Sequence, residues 1–157
     1  MLSRSLLIFA IMIMAGTAVA EPGSGSFQIT GDFEANTDDA TASIFLNERV
    51  NIRMFQVRAD RYMVTLFFSR DFTPAPGTYP IQFNYLNAKN TLGGSVIVSG
   101  DDYVMLSHDT EGTAVFEVFD EQIKGTFEFT SYDGSQEPRQ QVTISGSFDM
   151  PRGSVFR

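Results

Sequence analysis

Apolar and polar positions alternate with a period of two through the C-terminal third of this chain. Between Ile123 and Thr130, the residues Ile123, Gly125, Phe127 and Phe129 share one side, and Lys124, Thr126, Glu128 and Thr130 take the other. From Gln141 to Met150, the set Val142, Ile144, Gly146, Phe148 and Met150 opposes Gln141, Thr143, Ser145, Ser147 and Asp149. Pleated strands produce this period and helices cannot. A third run, Gly112 to Phe119, precedes them. Its link Asp120-Glu121-Gln122, and the later link Asp133-Gly134-Ser135 with Pro138, have the chemistry of turns. These stretches predict an antiparallel meander with one face buried and one wet.

The same reading extends upstream. Phe27, Ile29, Gly31 and Phe33 alternate with Gln28, Thr30, Asp32 and Glu34, so the first strand resembles the last, down to a Gly-Ser-Phe at Gly25 and again at Gly146. Such matching edges predict that the two ends pair and close the sheet, which removes the exposed edges of an all-β protein. Ala35 to Ala40 reads as polar turn material, and Thr41 to Leu46 as a strand with Ala42, Ile44 and Leu46 on one side. Asp39 could instead cap a short helix to Arg49, but the β-branched and aromatic content and the Asn47-Glu48 turn favour a hairpin. Val50, Ile52 and Met54 continue the alternation, and Ala59-Asp60-Arg61 supplies a turn. The strand from Tyr62 to Phe68 is apolar on both faces near Phe67, which predicts a central place or a second covering layer. Pro74, Pro76 and Gly77 end it. Thr78-Tyr79-Pro80 then opens a strand on which Ile81, Phe83 and Tyr85 face one way. Leu86 to Leu92 reads as a loop, Gly93-Gly94 as a bend or bulge, Val96 to Val98 as a short strand, and Tyr103 to Leu106 as another. The expected fold class is all-β: an antiparallel β-sandwich or small β-barrel of about nine or ten short strands.

The N-terminus changes the compartment. Arg4 precedes an almost wholly apolar run from Leu6 to Ala15, and Ala18-Val19-Ala20 is a small-residue cleavage site, so residues 1–20 read as a secretory signal peptide cut between Ala20 and Glu21. The run is shorter than the roughly 20 residues of a membrane span. The expected organisation is the signal peptide 1–20, a flexible lead 21–26, one β domain 27–150, and a tail 151–157. The expected location is periplasmic or extracellular, with no integral membrane span after signal removal. The chain has no Cys, so neither disulfides nor a lipid-carrying cysteine hold it. Phenylalanine, with 15 copies, is the core-filler. The net charge of −8 becomes −9 without Arg4, which predicts repulsion from nucleic acid and anionic lipid.

Several motifs taken together resemble a known group. Gly31-Asp32-Phe33-Glu34-Ala35, Pro76-Gly77-Thr78-Tyr79, Gly112-Thr113 with Phe116, Lys124-Gly125-Thr126-Phe127-Glu128-Phe129 and Val142-Thr143-Ile144-Ser145-Gly146-Ser147-Phe148 look like small bacterial exported or lipid-anchored β domains of unknown function, calycin-like or sandwich in type. The resemblance implies the fold and export and lends no catalytic residue. Members commonly carry a lipid-modified cysteine that this chain lacks.

Candidate chemistry is sparse. His108, the single histidine, stands in Ser107-His108-Asp109, and adjacent residues cannot form a nucleophile relay. Asn36, Asp38 and Asp39, or Asp101 and Asp102, could offer hard oxygen ligands to calcium, but without calcium-hand spacing they read as turn-forming acids. Glu117, Glu128 and Asp149 fall on the polar sides of their strands, as a solvated face would place them. No cofactor motif is present. Tyr62, Phe68, Phe83 and Tyr85 are the candidate lining of an apolar ligand cavity if a barrel closes, against the alternative that they pack a core. Outward Lys124, Glu128, Gln141 and Asp149 argue against an outer-membrane barrel. The sequence therefore predicts an exported, non-catalytic binding or envelope-structural module. Its partner would be an envelope protein or a small apolar ligand. A calycin-like carrier is the second reading and an envelope hydrolase the third.

Overall fold

A computed structural model describes residues 21–47, 52–101, 103–135 and 137–152. The chain forms β1 (Gly23–Gly31), β2 (Ala35–Asn47), β3 (Ile52–Ala59), β4 (Tyr62–Phe68) and β5 (Gly77–Gln82), then β6 (Leu92–Val98), β7 (Val104–Leu106), β8 (His108–Phe119), β9 (Gln122–Tyr132) and β10 (Gln141–Pro151). One turn of 3-10 helix, Tyr85–Asn87, interrupts the pattern between β5 and β6. All ten strands belong to one sheet in the order β4-β3-β2-β1-β10-β9-β8-β5-β6-β7, and a β4–β6 pairing closes it into a ring. The first and last strands of the chain pair as the matching Gly-Ser-Phe segments predict: β1 lies antiparallel to β10, with Ser24 opposite Asp149 and Gly31 opposite Val142.

The ring is regular on one side and irregular on the other. β10, β9 and β8 form the predicted meander. At the opposite seam β6 has a full ladder with β4, three pairs with β7, and a single parallel pair, Ile81 beside Leu92, with β5. Side chains bridge the gap that the ladders leave. The Thr110 hydroxyl donates to the Gly94 carbonyl at 3.3 Å and lies 3.1 Å from the Ser131 hydroxyl, all of it buried.

The interior is filled by glycine set against phenylalanine. Across neighbouring strands, Gly25 lies opposite Phe148, Phe148 opposite Gly125, and Gly125 opposite Phe116. One row further along, Phe27 lies opposite Gly146 and Gly146 opposite Phe127. The third row sets Phe129 against Gly112. A small ring cannot hold a large side chain at every inward position, so large and small residues alternate, and each bare glycine is covered by a ring from the next strand. The rings meet in turn: Phe55 and Phe148 centroids are 4.6 Å apart, Phe116 and Phe148 5.4 Å, and Phe68 and Phe72 4.6 Å. Each fully buried phenylalanine contributes roughly 1.5–3 kcal/mol of transfer free energy.

Four boundaries differ from the sequence expectation. The lead 21–26 is not free of structure: Gly23 to Ser26 already pair with β10 and β2, because both neighbours extend past Phe27 and offer unpaired backbone. Ala35–Ala40 is strand rather than turn for the same reason, since Ala35 to Ala40 ladder with β1 across a bulge. The helix considered for Asp39 to Arg49 is strand as far as Asn47, with Glu48 and Arg49 outside the described residues. Gly93-Gly94 is not a bend but lies inside β6. Gly93 is glycine because the Tyr85 ring lies against the place a side chain would take. Pro151 ends β10 opposite Gln122 and the Arg152 N–H donates to the Glu121 carbonyl, so the tail begins ordered. The signal peptide and residues 153–157 lie outside the described residues.

Candidate functional site

Strict alternation gives the ring an outer surface, and the two halves of that surface differ in chemistry. Over β1, β10, β9 and β8 the outward residues are mostly hydroxyls, amides and acids, with Lys124 and Val115 among them. Ser26 and Ser147 hydroxyls meet at 2.9 Å, and those of Thr130 and Thr143 at 3.3 Å. Ser24, Ser26, Thr126 and Ser147 floor a shallow trough walled by Asp38, Glu117, Lys124 and Asp149. Asp149 lies across from Lys124 and accepts a hydrogen bond from the Gln122 amide. Glu117 and Glu128 are exposed, as their register predicts.

Over β2, β3, β4, β6 and β7 the outward residues are different. Met54 lies opposite Phe67, and Phe45 opposite Met54, forming one apolar row across three strands. A second row runs through Met63, Ile97 and Met105, with Arg58 at its start. Between them, Ser43, Gln56, Thr65 and Ser95 form a polar row, yet Ser43, Thr65 and Ser95 are buried. Their short side chains lie below the longer ones on either side. Gln56 donates to the Thr65 hydroxyl at 3.2 Å, whereas the Ser43 and Ser95 hydroxyls have no partner. A buried hydroxyl without a hydrogen bond costs about 1–3 kcal/mol, so Ser95→Ala should leave stability unchanged or raise it by about 1 kcal/mol. Equilibrium urea unfolding checks this, and a loss of stability would mean that the hydroxyl has a partner in solution.

The residues singled out by sequence do not converge on one place. Phe68 is in the core, packed on Phe55, Phe72, Phe116 and Phe119. Tyr62 packs its ring on Phe27 and Phe33, with the Arg61 guanidinium 5.3 Å from its centroid. Tyr85 is outside the ring, stacked on Phe67 at 6.0 Å, where burial pushes its phenol up from the ordinary value. Phe83, 45% exposed, stacks on His108 at 5.4 Å. Phe83 and Tyr85 thus leave the Ile81 face, because β5 ends at Gln82 and the chain turns into the 3-10 helix. None of the four lines the clefts described among Ser24–Asp149, Thr30–Thr143, Asp109–Gln141 or Gln28–Asn36.

His108 has a structural neighbourhood. Its ring lies between Phe83 and Gly134, where a side chain on Gly134 would strike it. Asp109 turns away to Arg139, whose guanidinium donates at 2.6 Å. Ser107 is bonded through its backbone to Tyr132. Nearby, the Asp133 carboxylate accepts the Ser135 hydroxyl and N–H, both at 2.7 Å, and these bonds hold its pKa below the ordinary carboxylate value. Asn36, Asp38 and Asp39 lie along β2, and among the described residues no three of His, Asp or Glu converge as metal ligands. No described helix is long and apolar enough to cross a membrane.

The apolar wall was missed at the level of sequence. The sequence pattern sets Met54 with Val50 and Ile52 on the apolar side of its strand, but Phe55 and Val57 take the interior and Met54 faces outward, whereas Met63 does fall on the polar side of its strand's alternation. No family model, curated protein or solved structure matches the chain.

Proposed function

We propose that the chain is an exported, non-catalytic binding module of the cell envelope that works from its outer surface. The observation that carries this reading is the filled interior. Phe55 alone meets Phe68, Phe116, Phe127 and Phe148 at centroid separations of 4.6–6.5 Å, so an apolar ligand would have to displace the core. The scatter of Tyr62, Phe68, Phe83 and Tyr85 over core, outer wall and seam supports it further. So does the arrangement at His108, where the adjacent acid is committed to Arg139. Recognition is then a matter for the exposed side chains that the ring of strands holds, and it is argued from that surface and not from the fold.

Native mass spectrometry on the mature chain, purified from the envelope of its own host without detergent, tests the reading. The expected result is the bare mass. A stoichiometric small-molecule adduct that is lost on denaturation would overturn it in favour of a carrier.

A further inference from the structure

We infer that the outward methionines of the wall of β2, β3, β4, β6 and β7 are a site of reversible oxidation, taken to the sulfoxide by a peroxide and returned by a thiol-dependent sulfoxide reductase. Four of the seven methionines follow residue 20, and the chain has neither Cys nor Trp, so these thioethers are its most readily oxidised groups. The fold divides the four. Met150 is fully buried in the core, whereas Met54, Met63 and Met105 face outward on β3, β4 and β7. Met105 is 44% exposed, and Met54 and Met63 are half-buried. Two of the outward sulfurs also have a donor beside them. The Tyr103 hydroxyl stands 3.9 Å from the Met105 sulfur, and the Gln56 amide nitrogen 4.0 Å from that of Met54. The same amide donates to the Thr65 hydroxyl at 3.2 Å, which fixes its place. Each gap admits an oxygen: one bonded to the sulfur on the donor's side would accept a hydrogen bond of ordinary length, about 2.8–3.0 Å, without moving either residue.

In the forward step a sulfur lone pair attacks one oxygen of hydrogen peroxide. The S–O bond forms as the O–O bond breaks, and the departing hydroxide takes the proton of the transferred oxygen and leaves as water. Sulfur loses two electrons and the peroxide gains them. The product is a strongly dipolar S–O group, and the Tyr103 hydroxyl or the Gln56 amide donates to its oxygen as it forms. Repair uses two thiols, which take the oxygen as water and end as a disulfide. Each added oxygen makes a flexible apolar side chain polar. The wall thus changes character around Ile97, which lies between Met63 and Met105, while the hydrophobic core, which holds none of the three, is left as it was.

Hydrogen peroxide treatment of the folded mature chain, followed by peptide mass spectrometry over time, tests the inference. Met105 should gain oxygen first, and Met150 should gain none until the chain is unfolded. Circular dichroism should be the same before and after Met105 is oxidised. Tyr103→Phe, an exposed and conservative change, should slow oxidation of Met105 by about twofold or more. The two epimer-specific sulfoxide reductases then read the stereochemistry. One of them should restore most of Met105 in the parent chain, where the oxygen forms on the donor's side, and both should be needed in Tyr103→Phe. Oxidation of Met150 in the folded chain as fast as Met105 would overturn the inference. Loss of the fold on oxidation of Met105, or a sulfoxide that neither reductase repairs, would also overturn it, because the change would then be damage. So would a Tyr103→Phe chain with the parent's rate and epimer ratio at Met105. An added oxygen is covalent and survives denaturation, so it is distinct from the adduct that tests the outer-surface reading.

Discussion

Phe148→Ala should destabilise the domain by about 4–5 kcal/mol, at the upper end of the range for buried phenylalanine. The reason lies in what surrounds the ring. Phe148 packs on Phe55 at 4.6 Å, Phe116 at 5.4 Å and Phe127 at 6.3 Å, and its residues directly across both neighbouring strands are Gly25 and Gly125. Large-to-small costs vary with how far the site can collapse, and glycine has no side chain to lean into the void. A domain of ordinary stability has about 5–15 kcal/mol in total, so the variant should be close to unfolded at moderate temperature. In urea the midpoint should fall by well over roughly 1 M at unchanged m. A small shift would mean that the core relaxes around the gap and that the rings are not held as the ring of strands places them.

The same residues show how far the sequence carries. Strand identity was legible wherever one face is wet: Lys124 to Thr130 and Gln141 to Met150 alternate without a break, and their register follows at once. The closure of β1 on β10 was legible too, because both carry Gly-Ser-Phe. Ala35–Ala40 was not, because its backbone is held by the neighbouring strand while its side chains carry a turn composition. Gly93-Gly94 failed for a related reason. Two adjacent glycines normally mark a bend, and only the position of Tyr85, brought in by a 3-10 turn, makes a glycine necessary in the strand.

The surface divides in the same way. Acids and hydroxyls on the meander were read correctly as a solvated face, since each lies between two apolar neighbours in its own strand. The methionine wall was not read, because an apolar residue on the polar side of a strand looks like noise until the strands are set side by side. Met54 and Met63 lie on the two strands of one hairpin, and Met105 on a third strand distant in sequence. Only the pairing of β3 with β4, β4 with β6 and β6 with β7 makes a surface of them.

The glycine pattern supports the second large effect. Gly146→Val should cost about 3 kcal/mol or more, the upper part of the range for overpacked sites. A side chain on Gly146 would collide with the Ser26 carbonyl oxygen and the Phe127 ring, which approaches to 2.5 Å of the position a first carbon would take. One obstacle is backbone, fixed by the β1–β10 ladder, and the other is a core ring with no free space behind it. The neighbouring substitution Ser145→Val puts the same side chain on the outward face, where a β-branched residue suits an extended backbone and the change should be within about 0.5 kcal/mol. Equal costs at both positions would mean that register, and with it the alternation of glycine and phenylalanine across the ring, is wrong by one residue. Unequal costs in the expected order would tie the interior to the strand pairing, since valine is favoured by strand propensity at both sites and the Ser26 carbonyl and the Phe127 ring oppose it only at Gly146.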